Sequence, residues 1–175
     1  MIFIKLLAEE DAQGMLDLHV KNRAFFQKFI PVRPEEFYTL EGQLASIKRE
    51  QAQMAEGQRF SFGIFLQETG ELIGNVTLAE ILRGALQACF IGYYLDQHQN
   101  GKGYTSEAVR QTVEYGFQEL NLHRIEAGVM PHNLGSIRVL EKAGFVKEGI
   151  ARQNVLINGK WEDHQVLAII NENYK

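Results

Sequence analysis

The string Asn100-Gly101-Lys102-Gly103-Tyr104-Thr105-Ser106 follows the apolar run Phe90-Ile91-Gly92-Tyr93-Tyr94-Leu95 and precedes a segment of helical periodicity. A glycine-bearing turn that opens a helix can hold an anionic phosphate. The glycines let the backbone come close, the first N–H groups of the helix have no internal partner, and the helix dipole favours negative charge. The same string could also be only a turn. Two better-known phosphate loops do not fit it. A Walker A loop needs glycine five residues before Gly101 and Ser or Thr after Lys102, where Asp96 and Gly103 stand. A dinucleotide fingerprint starting at Gly101 needs its third glycine at Ser106 and a parallel half-fold after it.

Other reactive side chains are sparse. The histidines His19, His98, His123, His132 and His164 show no metal-ligand spacing, so no metal is expected. His123 and His132 read as turn residues. Cys89 lies within an apolar strand and reads as a small core residue rather than an acyl-carrying nucleophile. Phe25, Phe26, Phe29, Phe37 and Tyr38 could line a pocket, but their helical spacing favours core packing. Trp161 could pack on the sheet or rim a groove.

The elements that must position these groups follow from periodicity. Residues 2–7 read as a strand, 9–20 as an amphipathic helix, and 22–30 as an aromatic continuation stopped by Pro31 and Pro34. Residues 35–56 form a second helical region. Three strands, 60–66, 71–81 and 86–95, read as an antiparallel meander. From Gly103 the apolar stripe Ala108, Val109, Thr112, Val113, Phe117, Leu120 marks a long helix. Residues 124–130 return to strand, and 133–143 form a short helix closed by Gly144. Residues 149–157 and 160–170 form a hairpin around Asn158-Gly159. The pattern predicts one α+β domain over 1–175, with a mostly antiparallel mixed sheet of about seven strands and helices on both faces.

Composition narrows the class. With 175 residues, 45% hydrophobic and 23% charged, the chain can bury a core without disulfides or metals. A net charge of -4 argues against nucleic acid as partner, and no apolar run is long enough for a membrane span. The absence of a signal-like N-terminus and the lone cysteine lead to the expectation of a reducing, cytoplasmic compartment.

A second block, Asn133-Leu134-Gly135-Ser136 followed by Leu140-Glu141-Lys142-Ala143-Gly144-Phe145, stands one strand and one helix start beyond the loop. Together the two blocks resemble the GNAT superfamily of acetyl-CoA-dependent N-acetyltransferases over nearly the full chain. That family's loop reads Arg/Gln-x-x-Gly-x-Gly/Ala. Gly103 matches its centre, while Asn100 and Thr105 depart at the ends. The strings Leu122-His123-Arg124-Ile125-Glu126-Ala127 and Asn158-Gly159-Lys160-Trp161, with Asp163, resemble the branch that acetylates the N-terminal alanine or serine of ribosomal proteins.

The resemblance implies a sheet whose fourth and fifth strands splay, with acetyl-CoA held by residues 100–106, by the backbone of Tyr93, Tyr94 and Leu95, and by Asn133 and Ser136. It implies direct attack of an amine on the thioester in a ternary complex. Glu126 and Glu80 are the candidate carboxylate bases, although a solvated strand-face role suits both. Leu140 occupies the position where the family often carries an acidic tyrosine, which leaves Ser136 to hydrogen-bond the leaving thiolate. The expected acceptor is a protein N-terminus, for which an α-amine of pKa roughly 7.7–8.0 needs only a weak base. A small-molecule amine, such as a polyamine, an aminoglycoside or an amino-acid derivative, fits the same fold. So does a non-catalytic acyl-CoA-binding domain, which Leu140 and the altered loop ends motivate. A dimer is compatible with the sequence.

Overall fold

A computed structural model describes residues 1–175. Its centre is one seven-stranded sheet in the order β1-β2-β3-β4-β5-β7-β6. The strands are β1 (Ile2–Leu6), β2 (Phe60–Leu66), β3 (Leu72–Leu82), β4 (Ala88–Leu95), β5 (Arg124–Val129), β6 (Val146–Ile157) and β7 (Lys160–Ile170). Every neighbouring pair is antiparallel except β4 and β5. That parallel pair joins only Ala88 to Arg124, Cys89 to Ile125 and Phe90 to Glu126. Both strands then run on unpaired with each other, β4 to Leu95 and β5 to Val129. The sheet opens there into a wedge.

Helices cover both faces. Cross-strand partners share a face, so Asn75 with Tyr94 and Thr77 with Gly92 lie on one side of β3 and β4. Helices α1 (Ala12–Lys21), α2 (Arg23–Phe26) and α3 (Leu40–Ala55) belong to that side, with a small core of Leu7, Ala12, Met15, Leu18, Phe26 and Ile47 against Tyr94. The larger core lies on the other face. There Val76, Leu78, Ile91 and Ile125 meet α4 (Tyr104–Gln118) and α5 (Leu134–Lys142) through Ala108, Val109, Val113, Ile137 and Leu140. A Cβ at Gly116 would stand 2.9 Å from Ile125 Cδ1, so glycine sets how closely α4 can seat on the sheet.

The expected elements are present, with altered bounds. The helix read over 9–20 begins as a 3-10 turn, Glu9–Asp11, and the region 35–56 divides into a 3-10 turn, Glu35–Tyr38, and α3. Thr39 makes the break: its Oγ1 accepts the Gly42 N–H at 3.1 Å and so caps α3. The aromatic continuation is a single short helix, α2. The last hairpin starts at Val146, before Gly149, because Gly149 is a bulge residue with φ +132° and not a strand boundary. No helix is long and apolar enough to cross a membrane.

Candidate active site

The wedge is continuous with a cavity of about 520 Å³ between the end of β4, the loop after it, the start of α4 and the start of α5. Asp96 begins the loop. Its carboxylate accepts from Lys21 Nζ at 2.8 Å, from the His98 N–H at 3.0 Å and faces His98 Nδ1 at 3.1 Å. Burial alone would raise the Asp96 pKa, but these partners outweigh it and hold the carboxyl below its ordinary value. One residue on, the Gln97 N–H donates to Asn22 Oδ1 at 3.0 Å, and Asn22 is fully buried. The loop is thus tied to the C-terminal end of α1.

Gly101 and Gly103 have φ of +81° and +80°, and a Cβ on either would meet nothing within 4 Å. Glycine is required there by backbone conformation and not by crowding. The outcome is that the amide N–H groups from Gly101 through Ser106 donate to no protein acceptor. Asn100, Gly101, Gly103, Tyr104, Thr105 and Ser106 line the cavity. Lys102 is not among the walls, and its Nζ donates to Gln99 Oε1 at 3.0 Å. Arg138 and Lys142 of α5 also line the cavity and add positive charge opposite the loop. Sequence reading gives neither a role: Lys142 stands inside the second motif block, and Arg138 has only its place two residues after Ser136 on a helix that the motif already placed. A cradle of free N–H groups backed by two cations fits a pyrophosphate.

At the wedge, the Asp96 N–H bonds to Ile73 O at 2.7 Å. Alternation along the strand turns the N–H groups of Leu95 and Tyr93 the other way, into the gap left by β5. Asn133 caps α5, its Oδ1 accepting the Ser136 N–H at 3.2 Å, which leaves its amide NH₂ free toward the cavity. Ser136 Oγ lies 2.6 Å from the Tyr93 hydroxyl, which also reaches Ser136 O at 3.3 Å. Burial pushes the Tyr93 phenol up to about 12, partly offset by the Ser136 hydrogen bond, so Tyr93 stays protonated. Sequence reading gave Tyr93 a backbone role only. Leu140, where the family often has tyrosine, is fully buried in the larger core. Tyr93 brings a phenol to Ser136 from the facing strand.

A second cavity of about 190 Å³ opens on the other side of the wedge and shares Tyr93, Asn133, Ser136 and Phe29 with the first. Gly92, Gly128, His132 and His164 are among its remaining walls. Phe25, Phe26 and Phe29 line the large cavity, although their spacing read as packing; only Phe26 belongs to the small core. His19 pins α1 to β4, its Nε2 standing 2.9 Å from the Tyr94 hydroxyl in a box of Phe26, Phe37 and Tyr94. Burial first, and then the charge of Arg33, lowers its pKa to about 4.

The two carboxylates singled out as bases are not brought to either cavity. Glu80 is exposed at a bulge with φ +53°, at the end of β3 where Leu82 pairs with Ala88. That is the end opposite the loop, because Gly74 pairs with Leu95. Glu126 is held at 2.8 Å by Arg124, which also grips Glu148 at 2.6 Å. Alternation placed Glu126 on the right face of β5, but its partner Arg124, two residues earlier, was not legible as a competitor. Cys89 is buried in the larger core, and burial pushes its thiol up to about 12, away from any nucleophilic role.

An open wedge beside a cradle of free N–H groups suits an elongated ligand with an anionic end, and comparison with known proteins names the class. The model of the acetyltransferase (GNAT) domain matches residues 2–146, and the chain belongs to this family. It is an N-acetyltransferase whose acetyl donor is acetyl-CoA. Over 170 residues it is 56% identical to the probable N-acetyltransferase YjcK of Bacillus subtilis, covering 97% of this chain and 94% of that one. It is 34% identical over 168 residues to the [ribosomal protein uS5]-alanine N-acetyltransferase of Escherichia coli, covering 96% and 87%. The solved structure of Mycobacterium smegmatis RimJ in complex with CoA-disulfide superposes with TM-score 0.91 at 26% identity, covering 98% of this chain and 82% of that one.

Proposed function

We propose that this chain, as one domain over residues 1–175, acetylates the α-amine of a protein N-terminus, such as that of a ribosomal protein, in the cytoplasm. The observation that carries the reading is the junction of the two cavities at Tyr93, Asn133 and Ser136. Acetyl-CoA enters from the loop side, with its pyrophosphate on the amides of residues 101–106 and its arm along Tyr93, Tyr94 and Leu95. Asn133 donates to the arm from across the wedge. The amine approaches from the smaller cavity. Its nitrogen attacks the thioester carbon, the C–N bond forms and the C–S bond breaks. Inward-facing amides of β4 hold the carbonyl oxygen. Ser136 Oγ–H hydrogen-bonds the departing thiolate and relays to it the proton that the acetylated nitrogen sheds, while Tyr93 stays protonated and holds Ser136 in place.

The lining of the smaller cavity supports an N-terminus over a polyamine. Neither cavity has an Asp or Glu among its walls. A polyamine carries several cations and needs several acids, whereas an α-amine is partly neutral near pH 7. The similarity to the Escherichia coli uS5-alanine enzyme supports the same acceptor class. Thiol release from acetyl-CoA, measured against peptides with N-terminal alanine or serine and against spermidine, tests it. Acetylation of the peptides at the α-amine is the expected result. Exclusive use of spermidine overturns the acceptor, and thiol release with no amine at all overturns the transfer.

A further inference from the structure

The reading above leaves the amine's proton without a destination, since neither Glu80 nor Glu126 reaches the wedge. His164 is the unused group that does. It sits on β7, is 7% exposed, and lines the smaller cavity together with Tyr93 and Ser136. Cross-strand pairing of Gly128 with Val166 puts Gly128 and His164 on the same face as Gly92. A Cβ at Gly128 would meet His164 Cβ at 3.6 Å and Cδ2 at 3.7 Å, so the His164 side chain lies over Gly128 at the end of β5, where the strands have parted.

The hydrogen bonds fix which nitrogen carries the proton. His164 Nδ1 lies 2.8 Å from Asn154 Oδ1 and 3.2 Å from the Glu162 carbonyl oxygen. A carbonyl oxygen only accepts, so Nδ1 must donate. In the neutral ring Nε2 is then the bare nitrogen, and it makes no hydrogen bond within the protein.

We propose that His164 Nε2 is the general base of the transfer, resting on the reading of this chain as an amine acetyltransferase. Nε2 takes one proton from the ammonium, directly or through one water, and the ring becomes imidazolium. The neutral nitrogen adds to the thioester carbon. Its second proton balances the thiolate as the C–S bond breaks, and imidazolium returns its proton to solvent. Asn154 and the Glu162 carbonyl position the ring and stabilise its charged form. Other titratable groups face the site: His132 lines the same cavity, Tyr93 stands across it, and Glu126 shares the face but is engaged by Arg124. Asp163, next in the chain, accepts the Gln153 N–H at 2.7 Å.

Two measurements decide it. Long-range proton–nitrogen correlation spectra of the histidine-labelled free protein, with His164 assigned through His164→Gln, should show the Nδ1–H tautomer. An Nε2–H tautomer overturns the proposal, and this measurement needs no acceptor. Against whichever amine in the panel is acetylated, His164→Gln should lower kcat by about 10²-fold or more, leave the KM for acetyl-CoA within about twofold, and remove the acid limb of the kcat/KM profile. His132→Gln should keep that limb. A wild-type profile in folded His164→Gln overturns the base, whereas use of spermidine alone overturns only the N-terminal acceptor.

Discussion

The two sides of the wedge are built by different means. On the side proposed for acetyl-CoA the available groups are main-chain amides of residues 101–106, held by two left-handed glycines and a helix start. On the side proposed for the acceptor they are side chains brought from five separate elements: Phe29 after α2, Tyr93 on β4, His132 before α5, Ser136 on α5 and His164 on β7. A backbone cradle tolerates changes in side chain, and so Asn100 and Thr105 can depart from the family's pattern without dismantling it. A side-chain assembly does not. The difference teaches that the donor is specified locally and the acceptor globally.

Four perturbations probe that contrast. The largest is acid. The His19 pKa falls from 6.5 unfolded to about 4 folded, so the unfolded chain binds the proton first and stability is lost as pH drops through that window. The loss is up to roughly 3 kcal/mol, at about 1.4 kcal/mol per unit. Chemical denaturation from pH 7 to 4 should show it, and His19→Gln should flatten this part of the slope. An unchanged slope in the variant would detach His19 from the acid sensitivity of the fold.

Next comes Ser136→Ala, which removes the group shared by both cavities. It should lower kcat by about 10²-fold while acetyl-CoA affinity, read by calorimetry, changes only a few-fold. Equal losses in both would make Ser136 a donor-side residue and erase the contrast. Gly103→Ala should do the reverse. Forcing a Cβ into φ +80° costs about 1–2 kcal/mol, which should weaken acetyl-CoA binding about tenfold and spare kcat at saturation. The smallest effect is expected from Lys102→Ala. Lys102 is not among the cavity walls and its ammonium is held by Gln99, so affinity should shift by less than about twofold. A larger loss would place that side chain on the phosphates.

The same contrast explains what the sequence could tell. The meander, the long helix and the Asn158-Gly159 hairpin were legible because periodicity and turn chemistry act within a few residues. The loop and the cap at Asn133 were legible for the same reason. Tyr93 and His164 were not assigned chemistry, because what gives each its role is a partner far along the chain: Ser136 for Tyr93, and the opening beside Gly128 for His164. Glu126 misled in the opposite direction. Its strand alternation was right, and a salt bridge from Arg124 that no period encodes took it out of play. Phe25 and Phe29 show the same ambiguity, since a helical stripe looks alike whether it faces a core or a cavity.

Asn22 has a consequence of another kind. Its amide is engaged at both ends, the NH₂ donating to Leu18 O at 3.0 Å and the oxygen accepting the Gln97 N–H. Beside it, Lys21 grips Asp96. The last turn of α1 and the first turn of the phosphate loop are therefore one mechanical part, clamped at a rivet about two residues wide. α1 also carries His19, which braces β4 through the Tyr94 hydroxyl. A load placed on α1 is therefore carried into the loop, and stiffening of the loop fixes the stance of α1.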